Sequence, residues 1–168
     1  MAITPLPRGL GNTYVIKGQI EGDYRTQRIS LFDGRFDTAY RIIEFIIAPK
    51  KIIGNSNQSC SAKLCTEDQN LFGTTGQDSG EWNWQDNREI GWATWAQFST
   101  NISRSYNSII DPENLIIEDL FIGGVVNEDQ PNNIFNYMIV MEKYSISQAE
   151  GTLTYIRNRG QALGDTSI

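Results

Sequence analysis

Hydrophobic and polar residues alternate over short runs along this chain, the pattern of β-strands. Two long runs rich in Ile, Val, Phe, Tyr and Met lie at 114–122 and 136–146. A polar turn cluster around Pro131 separates them. We therefore predict that the two runs pair as a hairpin and that the other strands pack around it.

Further extended segments precede this pair. Residues 35–49 carry apolar residues at both alternating positions, which predicts either a central strand buried on both sides or a strand whose outer face a neighbour covers. Asp33-Gly34, just before it, predicts a hairpin turn. Residues 100–107 fit a loop or a short edge strand. The remaining predicted strands are 13–21, 25–32, 59–67 and 88–98. In the strand at 59–67, Cys60, Ala62 and Leu64 are predicted to face the core.

One helix is predicted, immediately after the last strand. Ser147 and Glu150 have the spacing of a capping box, in which each side chain accepts from the backbone N–H of the other residue. Ala149, Leu153 and Ile156 then recur on one helical face, and Gly160 can end the helix.

These elements predict an all-β fold: an antiparallel two-sheet β-sandwich, jelly-roll-like, with one short helix near the C-terminus. Helices do not alternate with strands, so a parallel sheet is not expected. Residues 12–160 are predicted to form a single domain. Residues 1–11 are predicted to be an extended arm, ordered only if something outside the domain holds it, and 161–168 a flexible tail.

Charge and composition argue against several partners. The net charge is −6, and Lys and Arg are scattered without a basic stripe, so direct nucleic-acid binding is not expected. The sequence contains no apolar run of membrane-spanning length, and the N-terminus lacks the layout of a signal peptide. We therefore expect no membrane partner.

Catalytic and metal chemistry also find little support. The chain contains no histidine, which removes the commonest general base and metal ligand. Cys60 and Cys65 would stand roughly 16 Å apart along a strand, too far for a disulfide. Asp33 and Asp37 fit turn formation, and the neighbours Glu118 and Asp119 would point apart. We predict neither an enzyme nor a cofactor, and a carboxylate-based hydrolase stays as a third hypothesis.

The four tryptophans, Trp82, Trp84, Trp92 and Trp95, are the main candidates for a contact site. They fit either the core or a subunit interface, or a platform on which a sugar ring stacks. On one strand, Trp92 and Trp95 must point to opposite faces, whereas Trp82 and Trp84 would share a face if extended. Tyr40 completes the set of interface or ligand candidates.

One resemblance bears on function. The segments LFDGRFDTAYRIIEF, WNWQDNREIGWATW, IDPENLIIEDLFI and NYMIVMEKYSIS, followed by GTLTYIRNRGQ, resemble small virion structural proteins of marine bacteriophages. The resemblance implies a virion component and assigns no site residues. We therefore expect a capsid, vertex, decoration or tail subunit that binds copies of itself and other virion proteins. The alternative is a carbohydrate-binding β-sandwich module, such as a phage receptor-binding protein.

Overall fold

The computed structural model contains two antiparallel sheets packed face to face, followed by a short helix. This architecture confirms the predicted all-β sandwich. No helix in the part of the chain that the structure describes is long and apolar enough to cross a membrane. The structure describes residues 4–5, 13–21, 26–31, 34, 37–52, 54, 56–68, 82–99, 103–126, 134–147 and 150–154.

Nine strands are present within these ranges, and most overlap the predicted segments with shifted ends; the strand predicted at 114–122 runs instead over 119–126. The first long strand matches its prediction at both ends, and a full edge strand occupies the segment predicted as loop or short edge strand. The strands are β1 (Thr4–Pro5), β2 (Thr13–Glu21), β3 (Gln27–Ser30), β4 (Thr38–Pro49), β5 (Gln58–Cys65), β6 (Glu89–Phe98), β7 (Ser103–Ile110), β8 (Asp119–Val126) and β9 (Ile134–Ser145).

The strand order is jelly-roll-like. In the four-stranded sheet, β9 is central, with β2 and the short β1 along one side and β4 along the other. The five-stranded sheet has the order β3-β8-β5-β6-β7. Strand pairs are therefore nested along the sequence: β2 pairs with β9, β3 with β8 and β5 with β6. The remaining pair, β4 and β7, lies side by side, and the Tyr106 hydroxyl donates to the carbonyl of Phe45 at 2.8 Å.

Both predicted hairpins are wrong. β8 belongs to the five-stranded sheet and β9 to the four-stranded sheet, so the two long apolar runs face each other across the core instead of pairing. The same holds for β3 and β4, on either side of Asp33-Gly34, although Gly34 does take a positive φ of 85°. In this fold a turn signal between two strands marks a crossing between sheets.

Of the two predictions for β4, burial on both faces within the chain is wrong, and an outer face covered by a neighbour stays a prediction. A β-bulge between Ile42 and Glu44 adds one residue to the strand and shifts its alternation. Ile42, Phe45 and Ile47 therefore all point into the core, while Ile43, at the bulge, is 48% exposed.

The core lies between the sheets and is filled by aliphatic and aromatic side chains from both. Gly124 of β8 marks a close approach: a Cβ atom there would lie 2.5 Å from Cζ of Phe135 on β9. The predicted inward positions Cys60, Ala62 and Leu64 are buried, and Cys65 is buried as well.

The predicted helix start is confirmed. Helical residues 150–154 follow the capping box, in which the Glu150 N–H donates to Ser147 Oγ and the Ser147 N–H donates to Glu150 Oε2, both at 3.2 Å. Leu153 is 60% exposed, and Ala149, Ile156 and Gly160 lie outside the described residues. At the other terminus, Thr4–Pro5 pair with Tyr144 and Ser145 of β9, so these two arm residues are held by their own domain.

Candidate functional site

The tryptophans occupy four different environments. Trp95 is buried between the sheets. Trp92 is also buried, but it lies opposite Lys63 on the outer face of the five-stranded sheet, so the predicted opposition of Trp92 and Trp95 is confirmed. Trp82 is half-buried, and Trp84 is 65% exposed. Only Trp84 therefore offers most of its indole surface to solvent.

Tyr40 is buried in the core rather than exposed. Its ring meets the ring of Tyr14 edge to face, with centroids 5.7 Å apart. The Lys143 ammonium stands over both rings, at 5.7 Å from the Tyr14 centroid and 6.0 Å from that of Tyr40. Tyr40 is therefore a packing residue at one end of the sandwich and is not accessible to a ligand.

The segment that carries Trp82 and Trp84 is a series of turns, so the alternation assumed for an extended strand does not apply. The Asn83 carbonyl accepts from the N–H of Asp86, and the Asp86 carbonyl accepts from the N–H of Glu89. The Asn83 side chain also accepts from the N–H of Gln85 at 3.1 Å. These turns place Trp84 at the tip of a compact loop, residues 82–88, which we call the tryptophan loop.

A buried ion pair anchors the tryptophan loop to the sheet below it. Lys63 and Glu89 are both buried, and the Lys63 ammonium donates to Oε1 of Glu89. Glu89 Oε2 accepts from the indole N–H of Trp92 and from the backbone N–H of Asn83, each at 2.9 Å. The carboxylate thus links strand β5, strand β6 and the loop. This network was not foreseen, because Lys63 and Glu89 occupy strand positions where a charge normally faces solvent.

A second ion pair closes the loop. Arg88 donates to Asp86 through Nε at 2.8 Å and Nη2 at 2.6 Å, and the N–H of Arg88 donates to the same carboxylate at 3.0 Å. Burial acts to raise the pKa of Asp86, but these hydrogen bonds outweigh it and hold the pKa below its ordinary value. With both ends fixed, Trp84 is held beside Trp92, with ring centroids 5.9 Å apart.

The second candidate surface is the outer face of the four-stranded sheet. Here Val15 of β2 pairs with Val140 of β9, and Met138 of β9 pairs with Ile46 of β4. Val15 and Ile43 are each 48% exposed, and the other three side chains are half-buried. We call these five residues the apolar face. The outward positions of an antiparallel sheet are usually polar, so this face is unusual for a surface that meets water.

Reactive groups are few in the described part of the chain. Burial raises the pKa of both Cys60 and Cys65 to about 12, so both thiols are protonated at neutral pH. No group of three or more His, Cys, Asp or Glu side chains within the described ranges could hold a metal ion. Asp119 pairs with Arg28 at 2.7 Å, and Asp33 lies outside these ranges.

No protein-family model, curated protein or solved structure matches this chain. The resemblance to virion proteins therefore stays an expectation.

Proposed function

We propose that this protein is a structural subunit of a virus particle, which assembles by burying apolar surface between copies of itself and against other virion proteins. The observation that carries the proposal is the apolar face. Jelly rolls occur in viral capsid subunits and also in lectins and cupins, so the fold allows this function without selecting it.

The apolar face has the composition expected of a subunit contact. Its central strand contributes the uncharged Met138 and Val140, and the charged Lys17 and Glu44 are their cross-strand neighbours on the two flanking strands. An uncharged centre with a charged rim is the usual arrangement of a protein interface. Exposing Val15 and Ile43 to water costs free energy that a neighbouring copy would recover.

The overall charge supports a position away from packaged nucleic acid. The protein carries a net charge of −6, so its surface as a whole repels the phosphate backbone. Contacts with other proteins of the particle are therefore favoured over contacts with the genome.

Size-exclusion chromatography with light scattering, combined with negative-stain imaging, tests this function. We expect the purified chain to form oligomers or symmetric assemblies, and Ile43→Lys to reduce them because it places a charge on the apolar face. Phe98→Lys is the matched control, since Phe98 is 53% exposed on β6, outside that face. A wild-type chain that forms nothing larger than a dimer at roughly 100 µM, far above a typical micromolar dissociation constant, would refute the proposal.

The tryptophan loop favours a second function, binding of a carbohydrate. Trp84 offers an exposed indole face, and the neighbouring Asn83 and Gln85 are exposed as well, so a sugar ring could stack and its hydroxyls could find amide partners. A glycan array tests this: Trp84→Ala should abolish any binding, while Phe98→Ala should preserve it. Trp92→Ala is a poor probe because Trp92 is buried and bonded to Glu89. An array with no wild-type signal would exclude this function for the glycans tested.

A further inference from the structure

Strand β2 leaves one side of the four-stranded sheet open. Its nine residues pair with β9 along one side, and no strand of the described ranges pairs with them along the other. Most of its side chains are exposed. A long edge of this kind presents unpaired N–H and C=O groups, which are a template for another strand.

The other three sheet edges are short or partly covered. β3 has only four residues. On β4, Tyr40 forms a bridge with Ile116, and the buried Asn114 side chain binds both the N–H and the carbonyl of Ile42, at 2.9 Å and 3.3 Å. β7 lies against β4 through the Tyr106 hydroxyl. Within the described part of the fold, β2 is therefore the edge best suited to pair with another chain.

The side chains along β2 indicate which strand this is. Lys17, Gln19 and Glu21 alternate with the inward-facing Ile16 and Ile20, so they share the outer side of the strand. Neither Lys17 nor Glu21 forms an ion pair with any other described residue. A strand with a cation two residues before a central position and an anion two residues after it is complementary to an antiparallel copy of itself.

We propose that β2 pairs antiparallel with β2 of a second copy, with Gln19 at the two-fold axis. Lys17 of each copy then lies opposite Glu21 of the other, giving two equivalent ion pairs and one continuous sheet in the order β4-β9-β2-β2-β9-β4. If the two-fold axis passed through Lys17, the two Lys17 residues would face each other. If it passed through Gly18, Val15 of each copy would face Glu21 of the other. The inference rests on the proposed self-assembly and specifies one of its contacts, an isologous one.

Cysteine cross-linking tests both the contact and its register. In Gln19→Cys, the two new cysteines would face each other with Cα atoms about 4.5–5.5 Å apart, within disulfide range. Lys17→Cys is the matched control, because its two copies would be offset by four residues, roughly 13 Å. The native thiols give little background, since Cys60 and Cys65 are buried and their pKa values are about 12.

Under mild oxidation we expect a disulfide-linked dimer from Gln19→Cys and none from Lys17→Cys on a non-reducing gel. A dimer from Lys17→Cys alone, or from neither variant, would overturn the proposal.

A charge swap provides the second test. Lys17→Glu replaces both ion pairs with like-charged pairs, so the dissociation constant of the dimer should rise about tenfold. The double variant Lys17→Glu/Glu21→Lys restores opposite charges and should recover the wild-type value. A double variant as weak as the single one would contradict the register.

These experiments separate the edge contact from the proposed function. If the wild-type chain assembles but Gln19→Cys does not cross-link, the edge contact is wrong and self-assembly through another surface stands. If Gln19→Cys cross-links but the chain forms nothing larger than a dimer, the edge contact stands and the role as a particle subunit fails.

Discussion

A single glycine marks how closely the two sheets approach. At Gly124 an added Cβ would lie 2.5 Å from Cζ of Phe135 and 2.8 Å from the backbone oxygen of Ser61, and the backbone atom cannot turn away as a side chain can. We expect Gly124→Ala to lower the free energy of unfolding by about 1–3 kcal/mol, as for other overpacked cores. Gly54→Ala is the control because nothing lies within 4 Å of its Cβ position. Chemical denaturation of both variants checks this, and equal stabilities would contradict it.

The Lys63–Glu89 pair holds two charges out of water, so removing one charge should cost more than removing both. We expect Lys63→Met to lower the free energy of unfolding by roughly 3–5 kcal/mol, because it leaves the buried carboxylate without its cation. The double variant Lys63→Met/Glu89→Gln should lose less, since the neutral amide that replaces the carboxylate could still accept a hydrogen bond from Trp92 or Asn83. Urea denaturation of the singles and the double measures the coupling, and additive losses would argue against it.

The Asp86–Arg88 pair makes stability depend on pH. Because the pKa of Asp86 is lowered in the folded state, the unfolded chain binds a proton more readily than the folded one as the pH falls. The contribution of this ion pair to stability is therefore complete above the ordinary aspartate pKa of about 3.9. It is lost as the pH falls through the pKa of Asp86 in the folded state. We expect the difference in Tm between the wild type and Asp86→Asn to narrow below about pH 4. When Arg88→Gln is present in both proteins, the change in Tm caused by Asp86→Asn should depend less on pH.

At the scale of elements, the bulge in β4 gives a direct comparison between two adjacent isoleucines. Strict alternation would group Ile43 with the core residues Phe45 and Ile47, whereas the structure buries Ile42 and exposes Ile43. We expect Ile42→Ala to cost about 2–5 kcal/mol of unfolding free energy and Ile43→Ala to cost little. Thermal or chemical denaturation of the two variants measures the two losses. The opposite ranking would mean that the bulge is absent.

Most strand positions could be predicted from the sequence, but strand partners could not. Period-2 alternation located β2 and the inward positions of β5, because burial on one face selects alternate residues. The pairing of β8 with β9 was wrong because two apolar strands joined by a polar segment have the same pattern whether they pair within one sheet or face each other across the core. The bulge in β4 was missed since both isoleucines at that point are apolar.

The candidate sites were predictable to a similar extent. The opposition of Trp92 and Trp95 followed from strand geometry alone. The burial of Tyr40 and the exposure of Trp84 did not, because both depend on which elements cover them. The ion pair of Lys63 with Glu89 joins residues of two different strands, so no local pattern announces it.

At the scale of the whole molecule, two surfaces proposed for assembly lie on the same sheet. The four-stranded sheet carries both the apolar face and the open edge of β2. Antiparallel pairing about an axis perpendicular to this sheet would place the apolar faces of both copies on the same side. The dimer would then offer a wider apolar surface to a further subunit, so edge pairing and face burial would act in sequence instead of competing.

Net charge opposes this association, and salt should therefore strengthen it. Two subunits of charge −6 with centres about 35–40 Å apart repel by about 1 kcal/mol at 10 mM ionic strength and negligibly at 150 mM, where the Debye length is about 8 Å. The exposed Lys17–Glu21 pairs lose only tenths of a kcal/mol over the same range. We expect the dissociation constant of the β2–β2 dimer, measured by analytical ultracentrifugation, to fall about fivefold as the ionic strength rises from the lower to the higher of these values. A rise would show that the Lys17–Glu21 ion pairs, and not the net-charge repulsion, dominate the salt dependence of the contact.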